Sequence, residues 1–563
     1  MIAEWPVGLT LIVGGLLAGV ARGRLRDAIS IAAPLLSLAQ LVLLEHGDFA
    51  RLELLGRTLV FMHVDRLSLL FGYVFSIAAL LSAIYALNVS DGLQRAAAPI
   101  YAGSAVAAVF AGDLLTLFAF WELTAVASVL LVWARRSERA FGAGMRYLAV
   151  QLVSGLLLLA GALVYEAGTG SLAFGYIGLA APGGALILAA FGIKASFPLL
   201  HNWLQDAYPE ATESGTVVLS AFTTKLGIYA LARAYPGTEL LIWVGATMTA
   251  FPIFYAVIEN DLRRVLAYSM TNQLGFMVTG VGLGGELGVN GAVAHAFADI
   301  LFKSLLFMSM GAVLLRAGTV KGSELGGLYK SMPWTTGFCI VGAASISAFP
   351  LFSGFVTKSM IMAAAAGEGH WIVWLVLLFA SAGVFHHAGI KIPYFAFFAH
   401  DSGIRCREAP RNMLVAMALT AGLCIGIGVF PGALYALLPH AVDYVPYTSS
   451  HVLSQLQLLV FSALAFSVLM RTGIYPPELR SVNLDCDWLY RRLLPLVLHG
   501  VGTVYALART ALVRAGVGVA VRLDALLIRH HHADGILART WTTGGMALWV
   551  AAMLAAYLVL YYA

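Results

Sequence analysis

Apolar residues recur in runs of helical length along almost the whole chain. Seventeen runs lie near 6–21, 27–44, 66–89, 98–111, 114–134, 147–165, 183–204, 215–235, 239–258, 267–284, 289–315, 334–349, 352–366, 371–399, 411–438, 452–470 and 543–563. A membrane-crossing helix needs about 20 predominantly apolar residues, whereas a crossing strand needs about 10 that alternate. Run length therefore predicts an all-α, polytopic transmembrane protein with about fifteen to seventeen helices, the range reflecting runs that are short or broken.

Two interruptions share a pattern. Gly192–Gly227 reads GIKASFPLLHNWLQDAYPEATESGTVVLSAFTTKLG. It leads from Lys194 in one apolar helix, past Pro198, His201 and Pro209, to Lys225 in the next. Later, SISAFPLFSGFVTKSMIM carries Pro350, Gly354 and Lys358 in a similar order. Proline removes a backbone donor and clashes with the preceding turn, so each site predicts a broken helix. Two such breaks are what inverted transporter repeats produce. The predicted organisation is 1–112 as N-terminal transmembrane helices, 113–260 and 261–400 as two repeats, and 401–478 as further transmembrane helices. Charges become frequent over 479–542, where Arg509, Arg514 and Arg522 punctuate apolar residues. That texture predicts an amphipathic segment lying on a membrane surface or along other helices, followed by a terminal transmembrane helix over 543–563.

Composition narrows the class. Hydrophobic residues make up 60% of the 563 residues and charged ones 11%, far below the share of about 25% in soluble chains. The net charge of +5 comes from arginines between apolar runs, and no basic block interleaved with aromatics points to nucleic acid. Basic clusters at Arg22–Arg26, Arg135–Arg146, Arg263–Arg264 and Arg316–Lys330 are separated by even numbers of predicted helices. They share one face, which the positive-inside rule makes cytoplasmic, with the N-terminus outside. The first apolar run lacks a basic stretch before it and reads as a membrane helix rather than a cleaved signal. Cys339, Cys406, Cys424 and Cys486 are too dispersed for a CxxC metal site or a disulfide framework.

Against this background the charges inside apolar runs are the candidate chemistry. A charge at the bilayer centre costs at least about 2.5–3.5 kcal/mol, so intramembrane ionisable residues mark function by default. Glu122 is the one carboxylate between Asp113 and the Arg135 cluster; it reads as a gate, a proton acceptor or half of a structural ion pair. Lys194 and Lys225 lie deep in their runs, and a buried lysine can exchange its proton near neutral pH. His295, Asp299 and Lys303 stand at i, i+4 and i+8 along one helical face. Steps of about 6 Å along the axis suit a relay bridged by water. The His–Asp pair falls short of the three or four ligands of a zinc site, so no metal is predicted. In the last such run, His386 and His387 precede Lys391. The histidines read as relay groups or as satisfied interhelical contacts, and Lys391 as the repeat counterpart of Lys225. His530–His532 reads as a solvated run, and no nucleophile triad or dinucleotide fingerprint occurs.

Seven motifs in order carry a resemblance: FMHVDRLSLLF (61–71), FWE (120–122), KASFPLLHNWLQDA (194–207), TTKLGIYAL (223–231), DLRRVLAYSMTNQLG (261–275), HAFADILFKSLLF (295–307) and SAFPLFSGFVTK (347–358). Together they resemble the antiporter-like subunits shared by respiratory complex I and the Mrp cation/proton antiporters, with TTKLGIYAL most similar to D-type Mrp subunits. The resemblance implies that Glu122 partners Lys194 on the broken helix, that Lys303 is the central lysine, and that Lys358 is the terminal one. It also implies a role for His295; where the family has a second histidine, this chain has Asp299. The function so implied is a membrane subunit of a monovalent cation (Na⁺ or K⁺)/proton antiporter in the plasma membrane, moving protons along this row beside other membrane subunits. No catalytic residue or cofactor is expected in this chain. The alternatives are a proton-pumping subunit of a redox-driven complex, a membrane partner of an inorganic-carbon uptake protein, and a non-conducting scaffold.

Overall fold

The apolar runs fold as helices, seven of them among the described residues opened by a side-chain cap. The computed structural model describes residues 5–54, 56–476, 478–479 and 483–563. The chain forms two compact units, one ending at Asn483 and one beginning at Leu484. The first unit opens with α1 (Val7–Val20) and α2 (Gly23–Val42), then an antiparallel hairpin of β1 (Gly47–Leu54) and β2 (Arg57–Val64). There follow α3 (Arg66–Tyr85), α4 (Gly92–Phe110), α5 (Leu114–Trp133), α6 (Glu138–Thr169), α7 (Gly184–Lys194) and α8 (Asn202–Ala207). Next come α9 (Glu213–Ala221), α10 (Thr223–Ala234), α11 (Glu239–Ile258), α12 (Leu262–Leu283), α13 (Glu286–Ala317), α14 (Pro333–Ile346) and α15 (Ser353–Gly367). α16 (Trp371–Val384), the short α17 (Lys391–Pro393), α18 (Arg411–Val429), the short α19 (Gly432–Tyr435) and α20 (Ser449–Thr472) complete it.

The second unit holds α21 (Leu494–His531) and α22 (Thr543–Tyr562). The stretch expected to be amphipathic over 479–542 is mostly this one helix of 38 residues; residues 480–482 lie outside the described residues. At 1.5 Å per residue α21 spans about 57 Å, nearly twice a hydrocarbon core.

Among the described residues, eleven helices are long and apolar enough to cross a membrane. That is fewer than the sequence pattern predicts. α1, α14 and α15 have only 14, 14 and 15 residues, the run at 183–204 is divided at its break, and α4 and α12 are long enough but fall short in apolarity.

The repeat is visible in its details. Asp113 caps α5, accepting from the amides of Leu115 and Thr116. Asp261, 148 residues later, caps α12 in the same way through Arg263 and Arg264. Each aspartate also forms an isolated antiparallel bridge, to Ala173 and to Lys321. α6 and α13 each have 32 residues and each ends on a left-handed glycine, Gly170 and Gly318. Both breaks carry the sequence Phe-Pro-Leu, with one left-handed residue just before it and another at its leucine: Ser196 (φ 64°) and Leu199 (φ 70°) in one, Ala348 (φ 56°) and Leu351 (φ 75°) in the other. Five crossings lie between the start of α5 and the start of α12, counting α7–α8 and α9–α10 as one each. An odd number sends the second copy through the membrane the opposite way, the inverted topology of transporter repeats.

Several local expectations change. The hairpin was not expected, because its strands alternate rather than run apolar. Leu59, Met62 and Val64 of β2 are buried, and its backbone is tied to the α5 entrance by Val60 N–H donating to Asp113 Oδ2 at 2.7 Å. Pro209 sits in a 3₁₀ turn (Tyr208–Glu210) beyond the break rather than in it. Gly354 lies in the first turn of α15, where a Cβ would strike the Ser345 carbonyl; the break itself is Ser347–Phe352. The run expected over 371–399 leaves α-geometry after Val384, passing through π-turns at Phe385–Ile390 and Tyr394–Phe398 around Pro393.

Candidate functional site

α13 runs through the middle of the first unit and packs on α9, α12, α14, α15 and α18. His295, Asp299 and Lys303 are all fully buried on it. Around them, chain interruptions deliver lysines and free carbonyl groups to the interior.

In the first repeat, Lys194 is the last residue of α7 and is fully buried. Its Nζ donates to the Trp121 carbonyl at 2.9 Å and to Thr124 Oγ1 at 2.6 Å, and stands 4.4 Å from the Trp121 ring centroid. The lysine is thus anchored to the turn of α5 that carries Glu122, but to neutral oxygens rather than to its carboxylate. Glu122 is half-buried, and its Oε1 is enclosed with no hydrogen-bond partner. Gly155 of α6 makes the room for it: a Cβ there would overlap Glu122 Oε1.

The centre belongs to both repeats. Helix α9 is interrupted at Phe222 before α10 begins, which frees the Ser220 carbonyl. Lys225 Nζ donates to that carbonyl at 3.1 Å and lies 2.7 Å from Asp299 Oδ2, with both side chains fully buried. The approach to Oδ2 is off hydrogen-bond alignment, so charge holds it more than direction does. Lys303, four residues beyond Asp299, turns to α12 and donates to Ser269 Oγ at 2.6 Å. The i, i+4 pairing that spacing alone suggests is replaced by a tertiary pair reaching across 74 residues.

In the second repeat, His295 bridges two helices. Its Nδ1 contacts Thr357 Oγ1 of α15 and its Nε2 contacts Gln273 Oε1 of α12, both at 3.0 Å. The next residue, Lys358, donates to the Ile346 carbonyl at the broken end of α14 at 3.1 Å and stands 4.9 Å from the Phe276 ring centroid. A cavity of about 330 Å³, lined also by Ser359, Tyr444, His451 and Gln455, opens beside Lys358. Its walls are mostly apolar, but it is wide enough to hold water beside the polar groups that line it.

Other expected residues lie elsewhere. Lys391 is buried at the end of α11, bonded to the carbonyls of Val257 at 2.6 Å and Glu259 at 2.7 Å and to Glu478 Oε1 at 2.9 Å. Helix-end carbonyls attract a cation, and this setting differs from that of Lys225, its expected counterpart. His386 packs on the rings of Phe466 and Tyr475. His387 is fully buried on the same π-turn, and His201 packs on Phe251 just before α8. Sequence reasoning did not find Thr124, Ser269, Gln273 and Thr357, which hold the ionisable groups. Small polar residues in apolar helices were the available signal.

Comparison with known proteins follows this geometry. Residues 111–385 match the family described as NADH:quinone oxidoreductase/Mrp antiporter, TM. The chain is 28% identical over 417 residues to hydrogenase-4 component B of Escherichia coli strain K12, covering 65% of this chain and 62% of that one. It is 25% identical over 405 residues to the D-type subunit of the Na⁺/H⁺ antiporter of Bacillus subtilis strain 168, covering 67% and 79%. It spans 61–62% of the length of the first curated relatives that it matches. A chain of the Mrp complex from Dietzia sp. DQ12-45-1b shares the fold, with a TM-score of 0.68 at 21% identity over 82% of this chain and 98% of that one.

Proposed function

We propose, from the membership of residues 111–385 in the antiporter-like family of NADH:quinone oxidoreductase and Mrp subunits, that this multi-pass membrane protein translocates protons as one subunit of a monovalent cation (Na⁺ or K⁺)/proton antiporter. The observation that carries the reading is the way its buried lysines are held. Lys194, Lys303 and Lys358 each donate to a neutral hydroxyl or carbonyl oxygen, with no ion pair among the described residues. Such a partner accepts from the ammonium and tolerates the neutral amine, so a proton can leave and return without stranding a buried carboxylate. Glu122, within electrostatic reach of Lys194 and unbonded at Oε1, can set when Lys194 is charged. His295, on the helix of Lys303, reaches Thr357, the neighbour of Lys358 in sequence, and Gln273 of α12.

The basic clusters support a plasma-membrane orientation with the N-terminus outside. Arg135, Arg139, Arg263, Arg264 and Lys321 line one cavity of about 500 Å³, so they share a face that the positive-inside rule makes cytoplasmic. The expected partners are other membrane subunits of a hetero-oligomeric complex.

Proton flux into vesicles holding the complex tests the proposal. Glu122→Gln and Lys303→Ala are expected to abolish fluorescence quenching while the complex still assembles; wild-type rates in both would overturn it. The likeness to hydrogenase-4 component B favours a second reading, a proton-pumping subunit of a redox-driven complex. Flavin or iron–sulfur absorbance in the complex purified in mild detergent would select it.

A further inference from the structure

Asp299 stands alone as a negative charge in a crowded positive region. Lys225 pairs with it, and Lys303 and Lys358 both lie within its electrostatic reach. His295, one turn away on α13, faces the same three lysines. Among the described residues, Asp299 is the one carboxylate acting on Lys303 and Lys358. It is fully buried, and Oδ1 has no hydrogen-bond partner.

The position of the Lys225 ammonium is itself informative. Nζ sits between a carboxylate oxygen and the Ser220 carbonyl, which the interruption at Phe222 releases from its helix. Carboxylate plus unwound carbonyl is the oxygen set with which discontinuous membrane helices hold monovalent cations. An ammonium there occupies the place of an ion. If Lys225 loses its proton, Asp299 is left buried and uncompensated, a state that costs several kcal/mol. Lys303 does not fill the gap in this arrangement, because its amino group is committed to Ser269 of α12.

We propose that Asp299 and the Ser220 carbonyl form an exchange site that holds either the protonated amino group of Lys225 or one Na⁺ or K⁺ ion. This rests on the antiporter reading above and gives it a cation site. For each ion that enters, Lys225 gives up one proton and moves aside as a neutral amine, and the proton leaves through the polar row. The net charge around Asp299 is the same before and after. Proton and ion therefore cannot occupy the site together, which is the minimal condition for obligatory exchange.

The test measures equilibrium binding of ²²Na⁺, and of ⁸⁶Rb⁺ as the K⁺ probe, to the purified complex between pH 6 and 9, beside proton flux in vesicles of the same preparation. One-for-one displacement predicts saturable binding of one of the two ions, strengthening about tenfold per pH unit wherever the protonated amino group is the main occupant. Lys225→Gln removes the competitor and should bind the ion more tightly with no pH dependence. Asp299→Asn should lose binding. Should that variant fail to assemble, Lys225→Gln/Asp299→Asn, which removes both charges, must lose the binding that Lys225→Gln retains. A wild-type complex that moves protons but retains neither ion overturns the exchange site and leaves the proton-translocation reading standing. So does undiminished binding in the variants that lack Asp299. A complex that neither binds an ion nor moves protons overturns both.

Discussion

Breaking the Lys225–Asp299 pair from one side should be far more damaging than removing it whole. At a separation of 2.7 Å, and with an effective dielectric of about 20, the attraction is about 6 kcal/mol. Burial of both side chains to zero exposure opposes it by several kcal/mol per ion, so the pair's net contribution is small. Removing one partner is a different matter, since the other charge stays buried without compensation. Lys225→Met or Asp299→Asn alone should therefore destabilise the first unit by about 3–5 kcal/mol. The double variant should lie within about 1 kcal/mol of wild type, because two neutral side chains of similar volume replace the pair. The assay is a double-mutant cycle on unfolding by SDS titrated into mild detergent, at a pH where the pair is charged. A coupling of about 3 kcal/mol or more is expected. Single effects that simply add in the double variant, to within about 0.5 kcal/mol, would refute the argument, since the two groups would then not be charged partners.

Gly155→Ala places a Cβ on Glu122 Oε1 and is expected to cut proton flux to the level of Glu122→Gln, with no further loss when the two are combined; quench rates in vesicles decide it. Asp113→Ala removes the cap of α5 and the acceptor of the Val60 amide. It should cost about 1–2 kcal/mol and expose the hairpin to protease, measured as the cleavage rate within residues 47–64. His63 is held above its ordinary pKa of 6.5 by Asp65, 3.5 Å from Nε2, against partial burial, and by Asp48, 2.6 Å from Nδ1. A raised folded pKa means that its stabilisation of the hairpin is full below pH 6.5 and disappears as pH rises through the folded value. Hairpin proteolysis should therefore quicken with rising pH in the wild type and lose that dependence in His63→Gln.

Much of this architecture was legible in the order of residues, for reasons that the geometry makes plain. A Phe-Pro-Leu break inside an apolar run leaves the chain little choice, and both breaks lie where Pro198 and Pro350 indicate. Lysines deep in apolar runs announced buried charge, and Lys194, Lys225, Lys303 and Lys358 are all buried. Partners were much less visible. Helical periodicity put Asp299 with Lys303, because periodicity reports only neighbours along one helix; the true partner lies on α10, brought there by packing. Lys391 was matched to Lys225 from its place after a broken helix, yet its surroundings are the carbonyl end of α11 and Glu478. The hairpin escaped notice because eight-residue strands with alternating burial leave only a faint trace beside crossings more than twice as long.

The 148-residue register between α6 and α13 aligns Tyr147 with His295, Gln151 with Asp299 and Gly155 with Lys303. Two helices of equal length and equivalent place thus carry unlike cargo, with neutral groups in one copy and ionisable groups in the other. Halves related by a two-fold axis in the membrane plane and bearing matching charges would look the same from either face of the membrane. Here the scaffold keeps the symmetry and the side chains abandon it, so the first copy carries Glu122 and Lys194 on its α5 and broken helix while the second carries Lys303 and Lys358 on α13 and α15. The duplicated frame is thus made unequal by three positions on one helix, before any partner subunit acts on it.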